Sequence, residues 1–471
     1  MTEPFQTSAR LPLDAETVAR ITDAVDRGLE KTVATLTDLV AIPGIAWDSF
    51  DREPLERSAQ AVAALIRSLG VVDVEVVTEA KADGTPGGPA VVGRRPAAPG
   101  KPTVLLYAHH DVQPVGEESL WETEPFTAVE REGRLYGRGA ANDKAGIMVH
   151  LAAFKAMLDA GADSGVGVTF FIEGEEEAGS PTFRTFLERH RQKLAADVIV
   201  VADSGNWKVG VPALTTSLRG LVDGVIGVRV LSHAVHSGMY GGPVLDAPTL
   251  LARLIATLHD DQGNVAIAGL DQTHHADLEY PEADYRADAA VLDSVRLAGT
   301  GSLADRLWNR PALSIIGTDV TRLEVASNTL QPEARAKFSL RLGPGMDPDA
   351  AMDAVRAHLD SVRDTVLFGA QVIFEPGETG LPFSTDTSAG PAQLMLASLR
   401  AAFGVEPVES GMGGSIPFTA DLVEVFPEAT LLITGVEDPD SRAHSANESL
   451  HLGDFRHAVL AEALLLAAAG L

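Results

Sequence analysis

Apolar residues recur at helical spacing through the first seventy positions. Between Val18 and Leu36 they follow one another at intervals of three and four residues, which predicts an amphipathic opening helix. The same spacing extends from Leu55 to Leu69 and stops at Gly70, a residue type that commonly follows the end of a helix. The pattern therefore predicts two helices at the start of the fold.

After Gly70, short apolar runs alternate with helical patterns. The predicted strands and helices are, in order, strand 103–108, helix 145–160, strand 167–174, helix 182–193 and strand 197–203. Continuous apolar runs between helices are typical of a mainly parallel sheet that is covered by helices on both faces. The same α/β pattern resumes near the C-terminus with helix 391–403, strand 429–435 and helix 454–469.

The middle of the chain has a different pattern. In the run 333–342 one face carries Ala334, Ala336, Phe338, Leu340 and Leu342, and the other carries Arg335, Lys337, Ser339 and Arg341. This alternation predicts a sheet with one solvated face. Helices at 247–259 and 348–362 and a strand at 371–376 surround it. We therefore expect a smaller α+β domain at 214–384, inserted into a main domain that comprises 1–213 and 385–471.

Length and composition agree with two domains. A chain of 471 residues is too long for one hydrophobic core, and its 45% hydrophobic and 22% charged residues are typical of a globular protein. A net charge of −29 argues against nucleic acid as a partner. The charge indicates either a solvated acidic surface or carboxylates that converge on cations.

Three further features of the sequence favour a cytoplasmic protein that does not enter a membrane. The N-terminal stretch MTEPFQTSARLPLD has neither the basic nor the apolar region of a signal peptide. No apolar run approaches the ~20 residues of a membrane span. The chain has no cysteine, which excludes disulfides and thiolate metal ligands.

Potential metal ligands follow the predicted strands directly. HHDVQP (109–114) and EEEAGS (175–180) follow two of them, Asp203 ends a third, and His444 lies in the loop after strand 429–435. In open α/β sheets, ligands bind at the carboxyl ends of the strands. Taken singly, each cluster has an ordinary alternative as a helix N-terminus, a cap or a loop residue. Together they supply the nitrogen and oxygen donors that zinc prefers.

Six motifs resemble those of the M20 metallopeptidase family. In chain order they are YAHHDVQP, LYGRGAANDKAG, FIEGEEEAGS, VVADSGNW, HAVHSGMYGG and AHSANE, and the likeness runs from about residue 38 to the C-terminus. HHDVQP, GGSIP and HSGMYGG together are most similar to the dipeptidase branch. The resemblance implies a di-zinc peptidase-like catalytic domain and makes 214–384 a lid and dimerisation domain. It also implies two divalent metal ions per subunit, zinc first, with manganese or cobalt as alternatives.

The resemblance assigns a role to most of the polar residues in these motifs. It implies that His109 and Asp203 bind one metal ion, while Glu177 and His444 bind the other. It also implies that Asp111 orients His109 and that Glu176 is the general base for a metal-bridging water. His236 would reach the partner subunit's active site in a homodimer and polarise the scissile carbonyl there. Arg341 and Ser415 would bind the carboxylate end of the substrate, and either Asn328 or Thr329 would bind the substrate as well.

Asn142 departs from the family pattern. The family has a metal-bridging aspartate directly before the DK pair, and this chain has Asn142 there. An amide offers one neutral oxygen, and its NH2 group cannot ligate a metal, so we expect weaker metal binding and impaired activity. Asp143 matches the following family position, whose side chain points elsewhere, and the bond between the two residues is cis in the family. An engineered isosteric change is favoured, because the other ligands are intact, and a natural variant is the alternative.

The predicted function is the metal-dependent hydrolysis of dipeptide amide bonds. One alternative is an amidohydrolase of the same fold that acts on N-acyl amino acids. The two functions differ at the amino end of the substrate, since only a dipeptidase needs an acidic group for a free ammonium. The other is a non-catalytic binding protein, for which Asn142 is the only support. The intact general base Glu176 argues against that second alternative.

Overall fold

The computed structural model describes residues 10–270, 274–276, 278–414 and 417–471. The chain forms two compact units. Unit 1 comprises Met1–Thr216, Thr385–Ser410 and Asp421–Leu471, and unit 2 comprises Ser217–Ser384 and Gly411–Ala420.

The strands and helices are numbered in chain order. The strands are β1 Asp73–Ala80, β2 Pro86–Arg95, β3 Thr103–His109, β4 Val129–Arg131, β5 Arg134–Tyr136, β6 Gly167–Glu173, β7 Val198–Val201, β8 Ala213–Leu218, β9 Gly220–Arg229, β10 Val235–His236, β11 Ala312–Asp319, β12 Thr329–Leu330, β13 Glu333–Leu342, β14 Gln371–Gly380, β15 Phe383–Ser384, β16 Val408–Met412, β17 Thr430–Ile433 and β18 Ser449–His451. The helices are α1 Ala15–Val40, α2 Glu53–Ser68, α3 Lys144–Asp159, α4 Phe183–Arg189, α5 Arg191–Leu194, α6 Ser237–Tyr240, α7 Ala247–Ala256, α8 Glu282–Asp288, α9 Leu303–Trp308, α10 Pro348–Val362, α11 Gly390–Phe403, α12 Pro417–Val425 and α13 Leu452–Ala469.

Unit 1 is built on a mixed sheet with the strand order β1-β2-β6-β3-β7-β17-β8. Its centre is parallel, as predicted, since β3 pairs in parallel with β6 and β7, and β17 with β7. Its flanks are antiparallel. There β1 and β2 are joined by the short segment 81–85, and so short a connection can join only antiparallel strands.

Helices cover both faces of this sheet, which confirms the predicted α/β class. On one face α1, α3, α11 and α13 pack against one another, and their apolar residues share a core with Val104, Leu106 and Phe170 of the strands. On the other face Phe186 of α4 stacks on Phe171, with ring centroids 5.0 Å apart. The predicted helix 182–193 is two short helices, α4 and α5, which meet at His190.

Unit 2 contains a four-stranded antiparallel sheet with the order β11-β13-β9-β14. Helices α7 and α10 pack on one face of it. The alternation predicted for 333–342 is confirmed, because β13 buries Ala334, Ala336, Phe338, Leu340 and Leu342.

Gly411–Ala420 belongs to unit 2, although the sequence analysis assigned this stretch to the main domain. Long-range contacts explain the difference. The Nε of Arg219 donates to the carbonyl of Gly413 at 3.0 Å. A side chain at Gly411 would collide with Trp308, so the backbone comes close to that ring.

No helix within the described ranges is both long enough and apolar enough to cross a bilayer.

Candidate metal centre

The loops at one edge of the unit 1 sheet bring the predicted ligands together. His109 is the last residue of β3, Glu176 and Glu177 begin a 3₁₀ turn after β6, and Asp203 follows β7 by two residues. Parallel strands end at a common edge, so these side chains meet although they are far apart in sequence. His444 joins them from the loop between β17 and β18.

The ligand atoms converge in two groups that share His109. One group consists of His109, Glu176 and Glu177, and the other of His109, Asp143 and Asp203. Within each group one ligand atom from every side chain lies within 4.8 Å of the others. Imidazole nitrogen and carboxylate oxygen suit zinc, manganese and cobalt. The donor set therefore fits a pair of divalent cations.

Asn142 lies between the two imidazoles that the sequence analysis assigned to different metal ions. Its Oδ1 is 2.8 Å from Nε2 of His109, and its Nδ2 is 2.8 Å from Nε2 of His444. The same ring nitrogen is 3.2 Å from Oε1 of Glu177. The Asn142–Asp143 bond is cis, as the resemblance implied.

The expectation that Asp143 points away from the ligands is wrong. The carboxylate of Asp143 belongs to the second ligand group, and its Oδ2 accepts the backbone N–H of His109 at 3.2 Å. Gly146 makes room for it, because a Cβ at that position would lie 2.2 Å from Oδ1 of Asp143. Burial, reinforced by the charge of Asp203, raises the pKa of Asp143 well above its usual range.

Asp111 connects the imidazole of His109 with the glutamate loop. Nδ1 of His109 is 3.1 Å from the backbone oxygen of Asp111 and 3.3 Å from its Oδ1. The Asp111 carboxylate also accepts the backbone N–H groups of Glu176, at 3.1 Å, and Glu177, at 3.0 Å. Burial favours the neutral imidazole, but Asp111 and Asp203 outweigh it and raise the pKa of His109 well above its usual range. The side chain of Asp111 is thus placed to orient the imidazole of His109.

The adjacent glutamates have different electrostatic environments. Burial raises the pKa of Glu176 to about 8, against the opposing effect of His109. Burial acts in the same direction on Glu177, but the neighbouring His444 and His109 outweigh it and lower the pKa of Glu177. A carboxylate with a pKa near the working pH suits proton transfer, whereas one that stays ionised suits metal binding. The environments therefore favour different roles.

Sequence reasoning missed two side chains that hold the ligands in place. Nε2 of Gln113 donates to Oε2 of Glu177 at 2.6 Å. The buried carboxylate of Glu448 binds Arg138 at 2.6 Å and accepts the backbone N–H of Asn142 at 3.0 Å. Both residues stand inside motifs that had been recognised, HHDVQP and AHSANE. The roles of Gln113 and Glu448 follow only from the hydrogen bonds that they form in the folded chain.

The remaining predicted site residues lie in unit 2 or outside the described residues. His236 pairs with Thr329 between β10 and β12, and the carbonyl of Asn328 accepts the backbone N–H next to His236 in the chain, at 2.9 Å. The side chain of His236 is exposed. Arg341 is partly buried on β13. Ser415 lies outside the described residues.

Comparison with known proteins gives a consistent result. The sequence profile of peptidase family M20/M25/M40 matches residues 105–468. A cysteinylglycine-S-conjugate dipeptidase of Corynebacterium striatum is 35% identical over 418 residues, which cover 87% of this chain and 89% of the relative. A Cys-Gly metallodipeptidase of Schizosaccharomyces pombe is 28% identical, over 93% of this chain and 95% of the relative.

A solved structure shows the same fold. Human carnosine dipeptidase 1 superimposes with a TM-score of 0.74 at 25% sequence identity, covering 98% of this chain and 100% of that chain.

Proposed function

Because this chain belongs to peptidase family M20/M25/M40, we propose that it is a metal-dependent dipeptidase. The observation that carries the proposal is the convergence of His109, Glu176, Glu177 and Asp203 at the carboxyl edge of the sheet. The dipeptidases among its relatives support this choice of substrate class.

The proposed cofactor is a pair of divalent metal ions per subunit, with zinc as the first candidate. His109 and Asp203 would hold one ion, Glu177 and His444 the other, and Asn142 stands between them. When bound, the two ions would polarise the scissile carbonyl and lower the pKa of water.

The side chains around these ligands would handle the protons. Glu176 would accept a proton from the attacking water and pass it to the leaving amine, for which its raised pKa is suited. Asp111 would keep the imidazole of His109 in position through its contacts with Nδ1. Gln113 would keep one oxygen of Glu177 engaged, so that the other oxygen faces a metal ion.

Residues of the 214–384 region would recognise the substrate. We assign this region as the lid and dimerisation domain, and 1–213 with 385–471 as the catalytic domain. Arg341 suits the substrate carboxylate, because a guanidinium can bind both of its oxygens, and Ser415 with Asn328 or Thr329 would assist it. His236 would polarise the scissile carbonyl in the partner subunit. We also propose a cytoplasmic location, which the absence of cysteine supports.

The first test of this function is a hydrolysis assay with added zinc or manganese. With the Asn142→Asp variant, Cys-Gly and β-Ala-His, which appear in the names of relatives, should release free amino acids. The release should be slower with the unmodified chain, and a chelator should abolish it. N-acetyl amino acids serve as the comparison. Cleavage of these alone would favour the amidohydrolase alternative, and cleavage of neither class by the Asn142→Asp variant would leave a binding protein.

An exposed apolar surface in unit 2 supports the proposed homodimer. Strand β11 is at the edge of its sheet, and large apolar side chains are exposed on and after it, with Ile316 at 58%, Leu323 at 91% and Val325 at 72%. An exposed edge strand with apolar neighbours is suited to pairing with another chain. We therefore propose that the segment Ala312–Val325 forms the dimer contact.

Substituting lysine for both Leu323 and Val325 should convert the dimer to a monomer, because charged side chains would then be buried in the contact. Light scattering at micromolar concentration measures the change. Leu292→Lys is the matched control, since Leu292 is also 71% exposed in unit 2. If the unmodified chain is a monomer and still hydrolyses dipeptides, both the contact and the role of His236 are wrong.

A further inference from the structure

Glu175 is the first glutamate of the EEEAGS motif, but it has no role among the residues assigned so far. It lies between the end of β6 and the 3₁₀ turn that begins at Glu176. Its side chain is buried, with 3% of the residue exposed. Within the described ranges, Glu175 belongs to neither group of converging ligand atoms. Its role must therefore follow from its other contacts.

The carboxylate of Glu175 accepts three hydrogen bonds from two segments of the chain. Its Oε2 accepts the backbone N–H of Gly88, on β2, at 2.6 Å. Its Oε1 accepts the backbone N–H of Thr182 at 2.9 Å and the Thr182 hydroxyl at 2.5 Å. Glycine is needed at 88 for this approach, because a Cβ there would lie 2.7 Å from the Cβ of Glu175. One buried side chain thus connects β2 with the residue that precedes α4.

The backbone of Glu175 closes the loop between these contacts. Its carbonyl accepts the N–H groups of Ala178, at 3.2 Å, and Ser180, at 3.0 Å. Ser180 has a φ of 50°, a left-handed conformation that is uncommon for a residue with a side chain. A loop that contains such a residue needs contacts that hold its conformation. The contacts with Glu175 supply them for residues 176–182.

The same loop carries the proposed general base. Asp111 accepts the backbone N–H groups of Glu176 and Glu177, which fixes the start of the loop on the side of His109. The contacts of Glu175 fix the loop on the side of β2. A general base must lie within hydrogen-bond reach of the proton that it accepts, and a displacement of about 1 Å can cost about 100-fold in rate. The position of the Glu176 carboxylate therefore depends on both anchors.

We propose that Glu175 is a positioning residue for the general base. Its carboxylate holds the loop 176–182 against β2, and this sets where the carboxylate of Glu176 meets the attacking water. The proposal rests on the proposed function, because it requires that Glu176 accept a proton. Glu175 should then affect the chemical step through Glu176, and metal and substrate binding much less.

The test compares Glu175→Gln with its parent, both in the Asn142→Asp background. An amide can accept hydrogen bonds at only one of its two ends, so either Gly88 or Thr182 loses its acceptor. We expect kcat for Cys-Gly to fall about 10- to 100-fold, while KM and metal content stay within about twofold. Thr182→Val removes only the hydroxyl contact and should lower kcat by less, about two- to fivefold. It also serves as the test if Glu175→Gln does not fold.

A double-variant cycle separates this role from a general structural one. If Glu175 acts through Glu176, then adding Glu175→Gln to Glu176→Gln should leave the residual rate within about twofold. A merely structural contribution would lower the residual rate by the same factor as in the parent. Glu428→Gln makes the same chemical change at an exposed position and should change none of these values.

Hydrogen exchange measures the loop without turnover. In Glu175→Gln the amides of 176–182 should exchange faster than in the parent, with or without Asn142→Asp. Loss of metal, a full effect in the Glu176→Gln background, or unchanged kcat and exchange would overturn the proposal while dipeptide hydrolysis stands. If the Asn142→Asp parent hydrolyses no dipeptide, the proposed function fails, and the exchange measurement still decides whether Glu175 holds the loop.

Discussion

Replacing Asn142 with aspartate should raise the tightly bound metal to two ions per subunit and increase kcat/KM for dipeptides by about 100-fold or more. In the present chain the amide nitrogen of Asn142 lies 2.8 Å from Nε2 of His444, and an amide nitrogen cannot ligate a metal ion. An aspartate has no hydrogen to donate and would offer an anionic oxygen toward each imidazole. The added charge would also offset the repulsion between two dications.

Metal analysis, calorimetric titration with zinc and steady-state kinetics measure these changes. Asn142→Ala is the control, since it removes the amide without adding charge, and it should not restore activity. Substrate binding should change less than turnover, because the residues proposed for recognition lie elsewhere. Two metal ions and full turnover in the unmodified chain would contradict the bridging role of position 142. Asp143, which lies in the ligand cluster, would then be tested by Asp143→Asn.

Glu176→Gln, made in the Asn142→Asp background, should lower kcat by about 10³-fold while the metal content stays nearly the same. The substitution keeps the shape of the side chain and removes its ability to accept a proton, and general-base catalysis contributes about 10²- to 10⁴-fold. Product release and metal analysis are measured on the same preparation.

Glu177→Gln is the matched comparison, because it makes the same change one residue further along. It should reduce bound metal first and activity as a consequence, since Glu177 is proposed as a ligand. Loss of metal from the Glu176 variant, with retention in the Glu177 variant, would exchange the two roles.

Much of this architecture was readable from local patterns. The parallel strands β3, β6 and β7, the helices that cover them and the solvated face of β13 all followed from the spacing of apolar residues. Such spacing reports burial directly, because each element must turn its apolar side toward a core. His109, Glu177 and Asp203 lie at or just after the ends of β3, β6 and β7, and parallel strands that end at a common edge account for their meeting.

Tertiary structure decided what depends on contacts between distant segments. It made the sheet mixed, since β1 and β2 pair across a short turn, and it brought Gly411–Ala420 into unit 2 through contacts with Arg219 and Trp308. At the metal centre it brought the carboxylate of Asp143 within 4.8 Å of ligand atoms of His109 and Asp203. The spacing of apolar residues along the chain shows which side chains are buried. The charges and hydrogen-bond donors around each of these side chains come from other strands. The electrostatic state of the site therefore emerges only when these strands assemble.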